Sequence, residues 1–309
     1  MSAPGAATVP ATRALLQGLV DFAGLFPPAG WTVERAVAAF AEYRGGPDAW
    51  ILNRFVVPAR RLPELERALD ALDPARRGAE VWPLTVIAGE HLAVDVGLAR
   101  AFDDRQGPAP ARAESVECVV RTPQEVERAR ALVPACLGLV LELPLDADLP
   151  ALARAVRRAG AVAKVRAGGV RPGDIPPATS VLAFLMACAR EQVPVKATAG
   201  LHHPLRGPAP LTYEPGSERA VMFGFLNVVL AAVALWQGGP ADTALALLEE
   251  QDRGAFTTGD EAIAWRGRRF EAAAIAGARR DFVTSIGSCS FTEPVGEFRD
   301  LAAASGGGS

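Results

Sequence analysis

Lysine is almost missing from this chain. Of the 32 basic residues among 309, only Lys164 and Lys196 are lysines, and the arginines are spread among acidic residues. The net charge of -3 and the lack of any Lys/Arg-rich block argue against a nucleic-acid surface. Their scarcity makes both lysines candidates for a role that arginine cannot fill.

Cysteine is also scarce. Four widely spaced cysteines with no CxxC pair are typical of reduced thiols, so we predict a cytoplasmic protein. No basic start followed by an apolar segment is visible, and no secretory signal is predicted. The most apolar stretch, residues 219–236, contains Asn227, which favours a buried helix over a membrane span. We therefore expect a small-molecule substrate and no membrane or nucleic-acid partner, and a homo-oligomer stays open.

Short apolar runs alternate with amphipathic, helix-like segments along the chain. Eight such runs each precede helical sequence: DFAGLFPP, AWILNRFVVP, EVWPLTVIAG, AESVECVVRT, LGLVLELP, AVAKVRAGG, VPVKATAG and RDFVTSIGSCSF. Nearly continuous apolar runs are typical of parallel strands that helices cover. The pattern predicts an α/β fold, a (β/α)8 TIM barrel, with a doubly wound open sheet as the alternative.

The spacing of the runs predicts a single barrel domain over residues 12–301. Residues 205–280 are too long for one crossover, so we expect a helical insertion between strands seven and eight. Residues 1–11 and 302–309 are rich in small residues and are predicted to be flexible tails. The second tail is typical of a linker or a cloning remnant.

Each lysine ends an apolar run and precedes a glycine by four residues, Gly168 and Gly200. On neighbouring parallel strands, about 4.8 Å apart, their amino groups would lie close together. Repulsion between them should lower the pKa of one lysine. A neutral amine forms a Schiff base with a carbonyl compound, which arginine cannot do. A lysine can equally bind phosphate or carboxylate as a plain cation.

The motifs KVRAG at 164–168 and KATAG at 196–200 resemble the deoxyribose-phosphate aldolase branch of the class I aldolases. The resemblance implies that Lys164 forms the Schiff base and that Lys196 tunes it. It is confined to these two motifs, and Arg166 stands where the family has a small hydroxyl residue. The segments DFAGLFPP, KATAGLHHP and GSCSFTEP also resemble uncharacterised bacterial proteins, which implies no function.

Polar residues at the ends of the other strand candidates complete the predicted active-site rim. Glu142 and His202 are expected to move protons. In an extended stretch only one of His202 and His203 should face the site. Gly168–Gly169 and Gly200 are expected to open tight βα turns, whose backbone N–H groups can bind an anion at a helix N-terminus. The predicted substrate- or phosphate-binding residues are Asp21, Asn53, Arg54, Arg166, Gly168, Gly169, Gly200, His203, Gly287, Ser288 and Ser290.

These residues predict a lyase or aldolase that acts on a small carbonyl compound, with or without a phosphate, through a lysine imine. No HxH or HExxH pattern is present, and no metal or cofactor is predicted. One alternative is an isomerase or decarboxylase that uses lysine as a cation or base, or a divalent metal held by Glu142 and His202. Another is a non-catalytic barrel that binds an anionic metabolite.

Overall fold

Eight parallel strands form a closed barrel in the computed structural model, which describes residues 10–106 and 111–306. The barrel order is β1-β2-β3-β4-β5-β6-β7-β13, which confirms the predicted (β/α)8 fold. In chain order the strands are Val20–Phe22 (β1), Leu52–Pro58 (β2), Trp82–Ile87 (β3), Ala111–Val119 (β4), Gly138–Glu142 (β5), Val162–Arg166 (β6), Val195–Thr198 (β7), Gly207–Pro210 (β8), Arg219–Met222 (β9), Phe256–Thr258 (β10), Ala262–Trp265 (β11), Arg268–Glu271 (β12) and Val283–Ser288 (β13).

Helices surround the barrel and connect its strands. Their bounds are Ala11–Leu16 (α1), Val33–Gly45 (α2), Leu62–Ala71 (α3), Pro74–Arg77 (α4), Leu92–Gln106 (α5), Pro123–Leu132 (α6), Leu149–Ala159 (α7), Ala178–Arg190 (α8), Phe225–Trp236 (α9), Ala241–Glu249 (α10), Ala272–Asp281 (α11) and Thr292–Gly306 (α12). Short 3-10 helices lie at Ala59–Arg61, Pro172–Asp174 and Arg253–Ala255.

Local sequence signals fix several helix ends. At the start of α6, the Thr122 hydroxyl accepts the Glu125 N–H, and the Glu125 carboxylate accepts the Thr122 N–H, which completes a capping box. Asp148 caps α7, and Gly160 ends it with a φ of 60°, where glycine avoids the strain of a side chain. These signals orient the helices against the barrel.

The hydrophobic core lies between the strands and the helical layer. Four aromatic rings pack together in it: Phe22, Phe40, Phe55 and Trp82. The centroids of the rings in contact lie 5.0–6.1 Å apart. All four side chains are fully buried. Phe22 packs outward against α2, so the side chain of the preceding Asp21 points into the barrel.

The segment between β7 and β13 holds helices, as expected, and also two small antiparallel sheets that we did not anticipate. The first is the β8–β9 hairpin, and the second joins β10, β11 and β12. The apolar stretch 219–236 was expected to be one buried helix, but its first four residues form β9. Helix α9 takes up residues 225–236 and is buried over nearly its whole length. Asn227 within it donates to the carbonyls of Leu247 and Glu250, so the buried amide is paired.

Across residues 10–106 and 111–306, none of the helices is both long and apolar enough to cross a membrane. Helix α1 begins at Ala11, and α12 continues to Gly306, so Ala11 and residues 302–306, which were predicted to belong to flexible tails, are helical. In α12, Phe298 and Leu301 are buried, and the Phe298 ring lies 6.1 Å from the Phe225 ring of α9, which anchors the helix. The rest of the predicted tails, residues 1–9 and 307–309, lie outside the described residues.

Candidate active site

Two lysines and three carboxylates form a continuous array of ion pairs inside the barrel. Lys196 Nζ lies 2.5 Å from Asp21 Oδ2 and 2.5 Å from Glu117 Oε1. Lys164 Nζ lies 2.5 Å from Glu117 Oε2 and 3.0 Å from Glu142 Oε2. Because Glu117 binds one lysine through each oxygen, the array runs Asp21, Lys196, Glu117, Lys164, Glu142.

Strand register brings these side chains together. Lys164 on β6 lies directly opposite Lys196 on β7 and opposite Glu142 on β5. The lysines were expected to be neighbours, and the structure places them side by side. Only 8% of the Lys164 side chain and 4% of the Lys196 side chain are exposed. At this depth a lysine needs a carboxylate partner, and each of the two has a pair of them.

Sequence reasoning missed Glu117, the centre of the array. It lies near the C-terminal end of β4, between the buried Val116 and Cys118, and its side chain is 2% exposed. A carboxylate between two apolar residues was the available signal, because such a group is rarely buried without a partner. The candidates of the sequence analysis are polar residues at the ends of apolar runs, whereas three apolar residues follow Glu117 before Arg121.

Mutual repulsion is predicted to lower the pKa of one of the two lysines, but the pKa of Lys196 is raised. Burial alone would lower the pKa of Lys196, but the neighbouring Asp21 and Glu117 carboxylates outweigh burial and raise it. Burial alone would raise the pKa of Glu117, but Lys164 and Lys196 lower it to about 2. Each group therefore favours the charged form of the other, the ammonium form of Lys196 and the carboxylate form of Glu117. We had assumed two lysines without a carboxylate between them.

Asp21 and Asn53 support a lysine and do not line the cavity where we expected substrate. The Asn53 amide donates to Asp21 Oδ1 at 2.7 Å, and the backbone N–H of Arg54 reaches the same oxygen at 3.2 Å. The Ser285 hydroxyl donates to Asp21 Oδ2 at 2.8 Å. These bonds hold the Asp21 carboxylate on Lys196.

A cavity of about 420 Å³ opens above the array at the C-terminal ends of the strands. Both lysines, Glu117 and Glu142 form its polar floor, and the cis Pro27–Pro28 segment lies in its wall. Its lining also includes the predicted residues Arg166, Gly169, Gly200, His202 and Gly287. This is the end of a (β/α)8 barrel at which enzymes of this fold carry their active sites.

His202 faces the cavity as a neutral imidazole. Burial lowers the pKa of His202 to about 4, so the expected general acid–base role near neutral pH is not supported. The Ser290 N–H donates to Ser288 Oγ, which lies 3.3 Å from His202 Nδ1. Cys289 Sγ lies 3.6 Å from Nδ1 and 3.9 Å from Nε2. In the tautomer whose Nδ1 accepts the Ser288 proton, Nε2 carries a hydrogen that a substrate oxygen can accept.

The ring signals of His202 should stay constant in a proton NMR titration from about pH 6 to about pH 8. A group with a pKa of about 4 does not change charge in this range. The His202→Gln variant assigns the signal by its disappearance. A midpoint between pH 6 and pH 8 for the His202 signal would show that the ring is more solvated than the structure indicates.

His203 turns away from this cavity, and its predicted role in substrate binding is not supported. Its Nδ1 lies 2.8 Å from Glu297 Oε2, and its ring lines a separate cavity of about 300 Å³. Successive side chains in an extended stretch point in opposite directions, so His202 and His203 serve different surfaces.

Gly168, Gly169 and Gly200 do not open tight βα turns, so no helix N-terminus directly follows them. After Gly169 eight residues precede α8, which begins at Ala178, and after Gly200 the chain enters the β8–β9 hairpin. Gly168 packs its backbone against Gly200, where an added Cβ would lie 3.2 Å from Gly200 Cα. A side chain at Gly287 would collide with Thr198, because an added Cβ would lie 2.5 Å from Thr198 Oγ1. These glycines allow close packing of loops.

Of the predicted serine and arginine ligands, some bind other parts of the protein and one lines the cavity. Ser288 is bonded to His202, and Ser290 Oγ accepts the Glu293 N–H near the start of α12, so both hydroxyls serve the protein itself. Arg54 pairs with Glu114 at 2.9 Å and does not line the cavity. Arg166 does line it, and no residue within 10–106 or 111–306 forms a hydrogen bond or ion pair with its exposed side chain.

This chain matches no protein-family model and no curated protein. The described residues contain no group of three or more His, Cys, Asp or Glu side chains placed to hold a metal ion. Between the carboxylates, the positions that a cation would take are filled by the two ammonium groups. What the arrangement offers is a buried, pre-oriented amine beside a proton acceptor.

Proposed function

We propose that this protein is a lyase of the aldolase type that binds a small carbonyl compound as a Schiff base on Lys164. One observation carries the proposal: Lys164 lies between Glu117 and Glu142 on the floor of a cavity at the active-site end of a (β/α)8 barrel. A buried amine held at a fixed position beside a carboxylate is the arrangement that imine chemistry needs.

Lys164 is better suited than Lys196 to be the nucleophile. Lys196 is bound by two carboxylates that are 1% and 2% exposed, and its raised pKa keeps it protonated. Lys164 shares Glu117 with Lys196, and its second partner, Glu142, is 17% exposed and lines the cavity. A proton can therefore leave Lys164 through Glu142 to the cavity.

Imine formation follows from these contacts. Lys164 gives a proton to Glu142, and its nitrogen attacks the carbonyl carbon. The resulting carbinolamine loses water as the Glu142 carboxylic acid protonates the departing hydroxyl. The iminium ion keeps the single positive charge that the ammonium group had, so Glu117 and Glu142 stabilise it in the same way. Lys196 stays positive and balances Glu117 throughout.

Carbon–carbon cleavage then uses the iminium ion as an electron acceptor. A hydroxyl on the β carbon of the bound compound loses its proton to Glu142 while the bond between the α and β carbons breaks. The electron pair of that bond neutralises the iminium ion and forms an enamine, and the β carbon leaves as an aldehyde. The neutral His202 ring can hold a substrate oxygen by a hydrogen bond.

Reductive trapping tests the proposal. The protein is incubated with small aldehydes, ketones and sugar phosphates, then reduced with borohydride, and the adduct is located by peptide mass spectrometry. We expect a stoichiometric adduct at Lys164 from at least one compound, because reduction converts the imine into a stable secondary amine. With two lysines in the chain, the only other amine is at the N-terminus.

Two outcomes would contradict the proposal. An adduct confined to the N-terminal amine would show that Lys164 is not accessible as a nucleophile. The absence of any adduct across the panel would favour the alternative in which the lysines act only as cations, as in an anion-binding barrel.

A further inference from the structure

Arg166 is a guanidinium group without a protein partner at the mouth of the candidate active site. It is the last residue of β6, two positions after Lys164, so both side chains leave the same face of the strand. Two residues of a strand span about 6.6 Å, which places Arg166 one layer above the amine, towards solvent.

The other arginines around this mouth differ from Arg166. Arg121 pairs with Asp146 at 2.7 Å, and Arg171 pairs with Asp174 at 2.9 Å. Among the residues that the structure describes, Arg166 has neither an ion pair nor a hydrogen bond. A planar guanidinium left free is suited to bind a carboxylate or a phosphate through two parallel hydrogen bonds.

Arg166 lies where two cavities meet. The inner cavity of about 420 Å³ holds the lysines, and an outer cavity of about 580 Å³ extends over the ends of β5 and β6. Val119, Glu142, Arg166 and Asp174 line both cavities. An elongated ligand can therefore reach Lys164 with one end while its other end lies in the outer cavity.

The charge of the cavity floor and the contacts on the β7 and β13 side both favour binding of an anionic group near Arg166. With its carboxylates ionised and both lysines protonated, the array of three carboxylates and two lysines carries one net negative charge. This charge repels an anion from the floor. On the β7 and β13 side, where this fold usually binds phosphate, Tyr213 of the hairpin loop donates to Glu293 at 2.8 Å. There the hydroxyls of Ser288 and Ser290 already have protein partners.

We infer that the substrate is an elongated anionic carbonyl compound whose carboxylate or phosphate binds Arg166 at the β5–β6 side of the mouth. The carbonyl part of this inference rests on the proposed Schiff base at Lys164. The anion part rests on Arg166 and its two cavities alone. Arg166 is then the residue that sets substrate specificity, and the chemistry at Lys164 does not require it.

Trapping with matched pairs of compounds tests the inference. The first pair, glyceraldehyde and glyceraldehyde 3-phosphate, differs by a phosphate. The second pair, butanal and succinic semialdehyde, differs by a carboxylate, so the two pairs test the two anions separately. For the pair whose anion binds better, we expect half-maximal trapping of the charged compound at a concentration about tenfold lower than that of the neutral compound. Arg166→Gln should remove this preference, so that the charged and the neutral member of the pair reach half-maximal trapping at similar concentrations. Arg121→Gln, in the same outer cavity, is the matched control and should keep the preference.

Failure of the inference can be told apart from failure of the proposed function. If no compound is trapped, calorimetric binding of succinate and glycerol 3-phosphate, which carry no aldehyde or ketone, still tests Arg166. We expect Arg166→Gln to weaken the better ligand about tenfold and Arg121→Gln to leave its affinity unchanged. Equal affinity in the wild type and Arg166→Gln, or no binding of either compound to the wild type, would overturn the inference. An unchanged preference for charged compounds in the trapping assay of Arg166→Gln would also overturn it.

Discussion

Replacement of Lys164 by arginine should abolish reductive trapping at residue 164 and lower any lyase activity by at least about a thousandfold. Arginine keeps the positive charge between Glu117 and Glu142 but stays protonated, so it cannot attack a carbonyl carbon. Losses of this size are usual when the nucleophile of an enzyme is removed. The measurement is the amount of borohydride-stable adduct per chain, with activity assayed on the compound that the wild type traps.

Lys196→Arg is the matched control, because it changes the same residue type one strand away. It should retain an adduct at Lys164, formed more slowly if the geometry of Glu117 shifts. The larger guanidinium group has to fit a site where the Lys164 side chain is 8% exposed, so Lys164→Met gives a second test with a side chain close in length. Circular dichroism shows which variants are folded.

The pattern of adducts distinguishes the three readings of the site. If the Lys164→Arg variant forms an adduct at Lys196 at the wild-type rate, Lys196 is the nucleophile and Lys164 is its neighbouring cation. Undiminished activity or ligand binding in both Lys→Arg variants would show that only the charge matters, as in the alternatives without an imine. Loss of trapping in Lys164→Arg alone would support the proposed mechanism.

The barrel could be predicted from the sequence because its signals are local and repeated. Each of the eight apolar runs overlaps a barrel strand. The apolar side chains of these strands pack between the barrel and the helices. The small sheets of the insertion lack such signals. Strand β8 has the sequence GPAP, and two prolines with a glycine are the reverse of a strand pattern. Its pairing with β9 is set by the tertiary structure around it.

The position of the lysines could be predicted, but their electrostatic environment could not. Register on adjacent strands follows from two similar motifs, whereas the pKa of Lys196 depends on Glu117, which is 79 residues away in the sequence. The same limit applies to the hydroxyls of Ser288 and Ser290. A strand-end position predicts that a polar side chain is near the site, but only the folded chain shows whether that side chain already has a partner.

Glu117→Gln should give the largest loss of stability of any single change in the array. The variant removes the shared negative charge and leaves Lys164 and Lys196 facing each other in a site that excludes water. Breaking a buried ion pair by removing one partner costs about 3–5 kcal/mol of unfolding free energy. Glu114→Gln, three residues earlier on β4, is the control: its carboxylate is 48% exposed, and loss of its pair with Arg54 should cost less than about 1 kcal/mol. The midpoints of urea and thermal unfolding measure the difference.

The stability difference between the wild type and Glu117→Gln should also depend on pH in one direction. The pKa of Glu117 falls from an ordinary value of 4.5 to about 2 on folding, so the unfolded chain binds the proton more tightly. The stabilisation is therefore fully present above about pH 4.5 and is lost as the pH falls towards about 2. We expect the two proteins to differ most near neutral pH and to converge in acid. A difference that stays constant from about pH 7 to about pH 3 would mean that the glutamine variant is destabilised by packing, and that the charge on Glu117 does not hold the lysines in place.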